Sequence, residues 1–258
     1  MSATIRFDDG AAYEDTMGRW SEAAAAHFLA WLAPPQGAAW LDIGCGTGVF
    51  SRMIERHCAP AVVTAIDPSQ AQLDQARRLA PGIHFHLADA QSLPFPAGSF
   101  GQAVMALVIF FLPSPDRGVA EMARVLQPGG TASAYVWDSE GTGSPLHPIA
   151  AALQARGHAV PSPPSPGASG LAALRALWSG AGFTGIETTS FDVALPFPGF
   201  AAYWSMMARM PRIGPVLATL PPQEADAIRT ELRTRLAAAE TPPFTATARA
   251  NAIRGTLP

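Results

Sequence analysis

Three glycines at alternating positions, Gly44, Gly46 and Gly48, follow the apolar segment Trp40–Ile43. Glycine has no β-carbon and adopts positive φ readily, so this spacing predicts a sharp turn between a strand and a helix. A flat cofactor can lie against such a backbone, which favours a nucleotide-like ligand. The dinucleotide motif G-x-G-x-x-G is not met, because the third glycine comes one residue early and Val49 stands in its place. The turn therefore indicates a ligand other than NAD.

Two aspartates follow the next two apolar segments of the chain. Asp67 comes directly after Ala61–Ile66, and Asp89 follows Ile83–Leu87 after one intervening residue. Ligands of open α/β sheets bind beyond the carboxyl ends of the strands, so we expect the glycine turn and both acids at one edge of a sheet. Each acid also has a structural interpretation, Asp67 as a helix N-cap before Pro68 and Asp89 as a plain turn residue.

The segment Leu41-Asp42-Ile43-Gly44-Cys45-Gly46-Thr47-Gly48 and the two acids resemble the motifs of class I S-adenosylmethionine-dependent methyltransferases, in the ubiquinone/menaquinone-type and natural-product small-molecule branch. Leu93–Phe100 and Ala120–Gly130 are similar to the family's lead-in to its fourth strand and to the helix and turn before its fifth. The resemblance spans about residues 13 to 255. It implies S-adenosyl-L-methionine as the cofactor.

The resemblance also implies a role for each residue near the turn. The three glycines would pass closest to the cofactor, and Asp42 would brace the turn or reach the methionine amino group through water. Asp67 would bind both ribose hydroxyls, because a carboxylate can accept two charge-assisted hydrogen bonds. Asp89 would receive the adenine amino group. The other implied cofactor contacts are Cys45, Pro68, the Ala90 N–H on a ring nitrogen, and the backbone of Ala106 or Leu107.

The N-terminal residues Tyr13, Met17, Arg19 and Trp20 match a family segment that folds over the cofactor. The match implies that Tyr13 closes the site against water and that Arg19 pairs with the methionine carboxylate. A surface helix carrying an arginine with its head in water is the alternative.

The predicted fourth strand departs from the family pattern. Relatives often carry an acid after Ser99-Phe100 and a histidine before the next helix, whereas this chain has Gly101 and Phe110-Phe111. Polar catalysis of the family type is therefore not expected here. His147, after the fifth strand, is the leading candidate for a general base, and a solvent-exposed loop histidine is the alternative.

Aromatic side chains are the candidates for the acceptor site, where each could equally be core packing. Tyr203 and Trp204 belong to a stripe that continues through Met206, Met207 and Met210. His84 and His86 share one face of a strand without a third ligand, so no metal site is predicted. The candidate acceptor contacts are Trp20, Phe110, Trp137, Tyr203 and Trp204.

Composition excludes several classes of function. All 17 basic residues are arginine, so a Schiff-base lysine, a phosphate-binding P-loop lysine and a Tyr-x-x-x-Lys dehydrogenase pair are all ruled out. The net charge of −3 disfavours a nucleic-acid partner. Two cysteines and the lack of a long apolar run indicate a cytoplasmic protein that neither forms disulfides nor spans a membrane. The expected partner is a small-molecule methyl acceptor.

Strands and helices alternate along the chain, which predicts an α/β fold. We expect a Rossmann-like, doubly wound, seven-stranded sheet, mostly parallel, with helical lid insertions. The family resemblance implies that Phe244–Ile253 belongs to an antiparallel hairpin at the sheet edge. The whole of 1–258 would be one class I methyltransferase domain, with cap helices in 1–35 and with 139–170 and 199–240 forming a lid over the acceptor site.

The leading hypothesis is methyl transfer to a small, apolar or aromatic metabolite by in-line displacement, in which positioning is the main catalytic device. The alternative is a protein of the same fold that binds S-adenosylmethionine without transferring its methyl group. That protein would be a regulatory partner or an enzyme with other chemistry.

Overall fold

The computed structural model describes residues 14–237 and 244–258. Within them the strands are β1 (Ala39–Ile43), β2 (Val62–Asp67), β3 (His84–Leu87), β4 (Phe100–Ala106), β5 (Leu126–Trp137), β6 (Thr184–Phe197) and β7 (Phe244–Thr256). They form one sheet in the order β3-β2-β1-β4-β5-β7-β6. Strands β1 to β5 pair in parallel, and β7 lies antiparallel between β5 and β6. The predicted Rossmann-like sheet with an antiparallel edge is confirmed.

Helices cover both faces of this sheet. They are α1 (Arg19–Leu32), α2 (Val49–His57), α3 (Gln70–Leu79), α4 (Pro115–Val125), α5 (His147–Gln154), α6 (Leu171–Gly180), α7 (Phe200–Met207), α8 (Gly214–Leu217) and α9 (Pro222–Arg235). Side chains alternate across β1 with the period of two that a strand imposes. Trp40 packs into the hydrophobic cluster that includes Phe28 of α1 and Ile54 of α2, and Leu41 packs into the opposite cluster with Met122 of α4. Because both faces are covered, ligands reach this sheet at the ends of its strands.

Two local predictions from the sequence pattern are wrong. Helical spacing predicts His57 on the inward face of α2 with Phe50, Met53 and Ile54, but His57 is exposed as the last residue of the helix. The pattern predicts a fourth strand over 102–109, but β4 ends at Ala106, where Leu107 turns the chain with a φ of 62°. Helical spacing also predicts Leu79 or Ala80 as the last inward position of α3, and Ala80 is the buried one, whereas Leu79 is 43% exposed.

The segments predicted to hold insertions contain helices. In 139–170 lie α5 and a short 3-10 helix, Pro166–Ser169, and the described part of 199–240 contains α7, α8 and α9. None of the helices in 14–237 is long and apolar enough to cross a membrane, and 244–258 contains no helix.

Candidate functional site

The glycine turn adopts the conformation that its spacing predicts. Gly44, Gly46 and Gly48 have φ values of 76°, 54° and 79°, in the left-handed region that favours glycine. The turn is fixed to the next strand, because the N–H groups of Gly44 and Cys45 donate to the Ile66 carbonyl at 2.8 and 2.9 Å. The end of β1 and the end of β2 therefore form one rigid edge.

Gly44 also satisfies a packing requirement. A β-carbon added at Gly44 would lie 2.5 Å from Val108 Cγ2, whereas one added at Gly37, with a similar φ of 74°, would meet nothing within 4 Å. The segment that follows β4 thus packs directly on the turn. This contact could not be predicted, because Val108 is an ordinary apolar residue 64 positions away from Gly44.

Asp67 connects the turn to α3. Its Oδ2 accepts a hydrogen bond from Gly46 N at 2.9 Å, and its Oδ1 accepts one from Ser69 N at 2.8 Å. Burial raises the pKa of the Asp67 carboxyl, and these two N–H groups lower it. Ser69, whose hydroxyl accepts a hydrogen bond from Gln72 N, is the N-cap of α3, so the interpretation of Asp67 as the cap is wrong. Each Asp67 oxygen keeps acceptor capacity for a further donor.

Asp42 is fully buried beneath the turn. Its Oδ2 accepts a hydrogen bond from the Ser51 hydroxyl at 2.5 Å, and its Oδ1 has no partner among the described residues. Burial raises the pKa of Asp42 to about 7; the Ser51 hydrogen bond opposes this, and the charge of Asp67 adds to it. Ser51 was not predicted, although a hydroxyl on the first turns of α2 is placed to meet a buried acid at the end of β1. The bond braces the turn against α2.

The third strand ends in a tight turn beside Asp67. Ala88 N donates to the Asp67 carbonyl at 3.2 Å, and Gln91 N donates to Asp89 Oδ1 at 2.8 Å. The Asp89 side chain is exposed, and Ala90 behind it is buried. Asp89 therefore forms the turn that the alternative interpretation expected, with one carboxylate oxygen, Oδ2, facing only the Gln91 amide at 3.5 Å.

Leu107 is held in a strained backbone conformation at the end of β4. A φ of 62° is uncommon for a residue with a γ-branched side chain, and such outliers concentrate at functional sites. Leu107 N donates to the Tyr135 carbonyl at 2.8 Å, which anchors this residue to β5. It turns the chain from Ala106 into the 3-10 helix Ile109–Phe111, next to the glycine turn.

A narrow cavity of about 70 Å³ lies beyond the ends of β4 and β5. Leu107, Phe110 and Trp137 form its apolar wall. Met17, Ser144 and Met210 complete it from three other segments of the chain. The Trp137 Nε1–H is buried without a partner among the described residues. The Trp20 ring packs edge-on against the Trp137 ring, with 6.1 Å between the ring centroids, so Trp20 supports this wall residue.

Other predicted residues lie away from this cavity. Arg19 donates to the Pro196 carbonyl at 3.2 Å and lies over the Phe197 ring, so it remains on the surface, as the alternative interpretation expected. Tyr203 is buried against Phe197 and Phe244, and burial raises its pKa to about 12, so it packs the core. Trp204 is partly buried against the same core.

His147, Cys45 and Pro68 also lie outside the lining of the cavity. His147 is half-buried as the first residue of α5 and does not line the cavity. Cys45 is buried, and burial raises the pKa of its thiol well above the ordinary value. Pro68 is exposed beside Asp67. Tyr13 lies outside the described residues.

A larger groove of about 710 Å³ lies on the outer surface between α4 and α6. Pro115, Ala173 and Leu177 are among its lining residues, and it includes none of the predicted site residues. The chemistry suggested by the sequence therefore belongs to the strand ends and not to this groove.

Comparison with known proteins agrees with this geometry. Residues 41–134 match the family model described as a methyltransferase domain. Over 94 residues the chain is 39% identical to 2-methyl-6-phytyl-1,4-hydroquinone methyltransferase 2, chloroplastic, of Oryza sativa subsp. japonica, which covers 36% of this chain and 27% of that protein. Over 111 residues it is 34% identical to the ubiquinone/menaquinone biosynthesis C-methyltransferase UbiE of Bartonella bacilliformis. This match covers 40% of this chain and 43% of that protein. The chain thus spans less than half the length of either relative.

Solved structures extend the likeness in fold to the rest of the chain. The YcgJ protein of Bacillus subtilis superposes with a TM-score of 0.61 at 17% identity, over 90% of this chain and 97% of that one. Phosphoethanolamine N-methyltransferase 2 of Haemonchus contortus, in complex with S-adenosyl-L-methionine, superposes with a TM-score of 0.60 at 18% identity, over 99% of this chain and 60% of that one. The matched segment contains the glycine turn, Asp67 and Asp89, so residues 41–134 match the methyltransferase domain family within a chain that has a class I methyltransferase fold.

Proposed function

We propose that this protein transfers a methyl group from S-adenosyl-L-methionine to a small metabolite with an apolar or aromatic body. The observation that carries the proposal is the juxtaposition of the two sites. A turn of three positive-φ glycines, hydrogen-bonded to Asp67, lies beside an apolar cavity at the same edge of the sheet. The methyltransferase domain match across 41–134 supports it.

The residues of the turn suit the proposed cofactor. Asp67 retains acceptor capacity on both oxygens for the ribose hydroxyls, and its orientation is fixed by Gly46 N and Ser69 N. The buried, unpartnered Asp42 Oδ1 is an acceptor that the protein leaves unsatisfied, as expected if a water or the cofactor's amino group completes it. The exposed Asp89 carboxylate and the Ala90 N–H remain our candidates for the adenine, and the Ala106 and Leu107 backbone for the amino group.

The cofactor supplies a methyl group on a sulfonium, which needs no further activation, so the protein has to position the acceptor and exclude water. The described lining of the cavity contains no histidine, which agrees with positioning as the main device. Phe110 and Trp137 would hold the acceptor ring. We propose that 139–170 and 199–240 act as a lid, because Ser144, Met210 and Pro211 already border the cavity.

One observation favours the alternative function, in which the chain binds S-adenosylmethionine without methyl transfer. Ligand pockets usually measure about 300 to 1,000 Å³. The cavity, at about 70 Å³, has to widen before a whole aromatic acceptor enters.

Turnover separates the two functions. The purified protein is incubated with S-adenosyl-L-methionine and a set of phenols, hydroquinones and small carboxylic acids, and S-adenosylhomocysteine is measured by mass spectrometry. Methyl transfer predicts acceptor-dependent accumulation of S-adenosylhomocysteine that is lost in Asp67→Ala. Stoichiometric binding of S-adenosyl-L-methionine without consumption, for every acceptor class including a cellular extract of small molecules, would establish the alternative.

A further inference from the structure

Arg212 places a positive charge in the wall of the apolar cavity. It lines the cavity together with Phe110, Trp137 and Ser144, although it comes from the segment between α7 and α8. Its Nε donates to the Pro161 carbonyl at 2.6 Å. No ion pair of Arg212 with a carboxylate is found within 14–237 and 244–258. The remaining guanidinium N–H groups therefore have no described counter-charge.

Leaving such a group unpaired is costly. Burial lowers the pKa of the Arg212 guanidinium, which means that the protein removes part of its hydration without providing an anion. Arginine in such a position is most stable when a carboxylate or similar anion completes its planar set of donors. The bond to Pro161 fixes the Nε edge, so the Nη groups are the ones available to a ligand.

The other polar groups of the cavity point to the same ligand chemistry. Ser144 adds a hydroxyl to the lining; its oxygen accepts from Leu146 N, which leaves its hydrogen to donate. The Ser139 hydroxyl already donates to the Trp137 carbonyl at 3.3 Å, and no aspartate or glutamate lines the cavity among the described residues. The cavity thus offers the Ser144 hydroxyl and a positive charge within an apolar wall.

We propose that Arg212 binds an acidic oxygen group of the acceptor, so that the substrate class is an apolar or aromatic molecule carrying a carboxylate or another oxyanion. This inference rests on the proposed function for the identity of the cavity as the acceptor site. It assigns Arg212 a role in specificity, which no motif in the sequence indicated.

The test uses two probes of nearly equal shape, 4-fluorobenzoate and 4-fluorobenzamide, titrated by ¹⁹F NMR in the presence of saturating S-adenosylhomocysteine. The wild-type protein should bind the benzoate at least fivefold more tightly. Arg212→Gln should weaken the benzoate about tenfold and change the benzamide less than twofold, because only the anion uses the guanidinium. Arg212→Lys should retain part of the preference.

Arg209→Gln is the matched control, because Arg209 is an exposed arginine on the same segment, and it should alter neither probe. An equal loss for both probes in Arg212→Gln would mean that Arg212 only maintains the cavity, and a wild-type protein without preference for the benzoate would also overturn the inference. The affinity of the same protein preparations for S-adenosylhomocysteine is measured separately by isothermal titration calorimetry. A wild-type protein that does not bind S-adenosylhomocysteine would refute the proposed function, whereas intact S-adenosylhomocysteine affinity without the benzoate preference would refute the Arg212 role alone.

Discussion

The donor side and the acceptor side of the candidate site are built by different means. The donor side is made of backbone geometry within 30 consecutive positions, 40–69, in which glycine φ values, N–H groups and two buried acids are fixed to one another. The acceptor side takes its residues from five separated stretches of the chain, which contribute Met17, Phe110, Trp137, Ser144 and Arg212 among others. A donor site of this kind tolerates little change, whereas an acceptor site built from dispersed side chains can change its specificity one residue at a time.

Asp42→Asn tests the buried charge on the donor side and has the largest expected effect. The folded-state pKa near 7 lies above the unfolded value of 3.8, so between these values the folded protein holds more protons than the unfolded chain. The unfolding free energy of the wild type must therefore fall as pH rises through this window. Asparagine does not titrate, so the variant should gain about 4 kcal/mol relative to wild type between pH 4 and pH 8.

Urea unfolding at several pH values measures this difference. Ser51→Ala serves as a second probe, because losing the hydroxyl removes a contact that lowers the Asp42 pKa, and it should move the window to higher pH. A pH-independent difference between Asp42→Asn and wild type would show that Asp42 is not a buried, titrating acid.

Gly44→Ala tests the close approach of backbone to Val108. Positive φ costs an alanine about 1 kcal/mol, and the clash at 2.5 Å adds about 2 kcal/mol. Gly37→Ala shares the positive φ and meets nothing within 4 Å, so it should lose only the first contribution. Equal losses of unfolding free energy in the two variants would contradict the packing of the segment after β4 on the turn.

Trp137→Phe and Trp178→Phe compare a cavity wall with a core. Trp178 Nε1 donates to the Ala132 carbonyl at 3.1 Å, so Trp178→Phe removes a buried hydrogen bond and should cost about 1 to 2 kcal/mol more than Trp137→Phe. Trp137 Nε1 has no described partner and the Trp137 ring lines the cavity, so Trp137→Phe should weaken acceptor binding more than folding. Calorimetric unfolding of both variants checks the order, and a larger loss for Trp137→Phe reverses the interpretation.

Glu231→Gln has the smallest expected effect. Glu231 accepts from Arg156 at 2.6 Å and links α9 to α5 through partly exposed side chains, and such pairs contribute less than about 1 kcal/mol. The unfolding free energy should therefore barely change. In Glu231→Gln, the backbone amides of 222–235 should nevertheless exchange their hydrogens faster than the backbone amides of β1. Loss of more than 2 kcal/mol would show that α9 is held as firmly as the donor side.

The sequence predicted the conformation of the glycine turn because that turn depends on local backbone rules. Alternating glycines after a strand and acids after the next two strands can be identified without any knowledge of tertiary contacts, and the parallel part of the sheet follows from the alternation of elements. The antiparallel edge was predicted from the family resemblance. The end of β4 could not be predicted, because leucine has no preference for the positive φ that Leu107 adopts and no local pattern in the sequence signals it.

The acceptor side was predicted only in part, for a related physical reason. Phe110 and Trp137 were expected, but an aromatic residue has the same appearance in sequence whether it lines a cavity or packs a core, as Tyr203 does. Val108 and Arg212 act through contacts with residues tens of positions away, Gly44 and Pro161, which no local pattern records.

The most direct test of the account is the affinity for S-adenosylhomocysteine measured by isothermal titration calorimetry on wild type, Asp67→Ala and Asp74→Ala. Asp74 is an exposed acid on α3, which makes it the matched control for the loss of a carboxylate. We predict one-to-one binding by wild type and by Asp74→Ala. Asp67→Ala should bind at least 100-fold more weakly, because it lacks the carboxylate that accepts hydrogen bonds from the ribose hydroxyls and from Gly46 N. Unchanged affinity in Asp67→Ala would contradict the assignment of the glycine turn and Asp67 as the donor site.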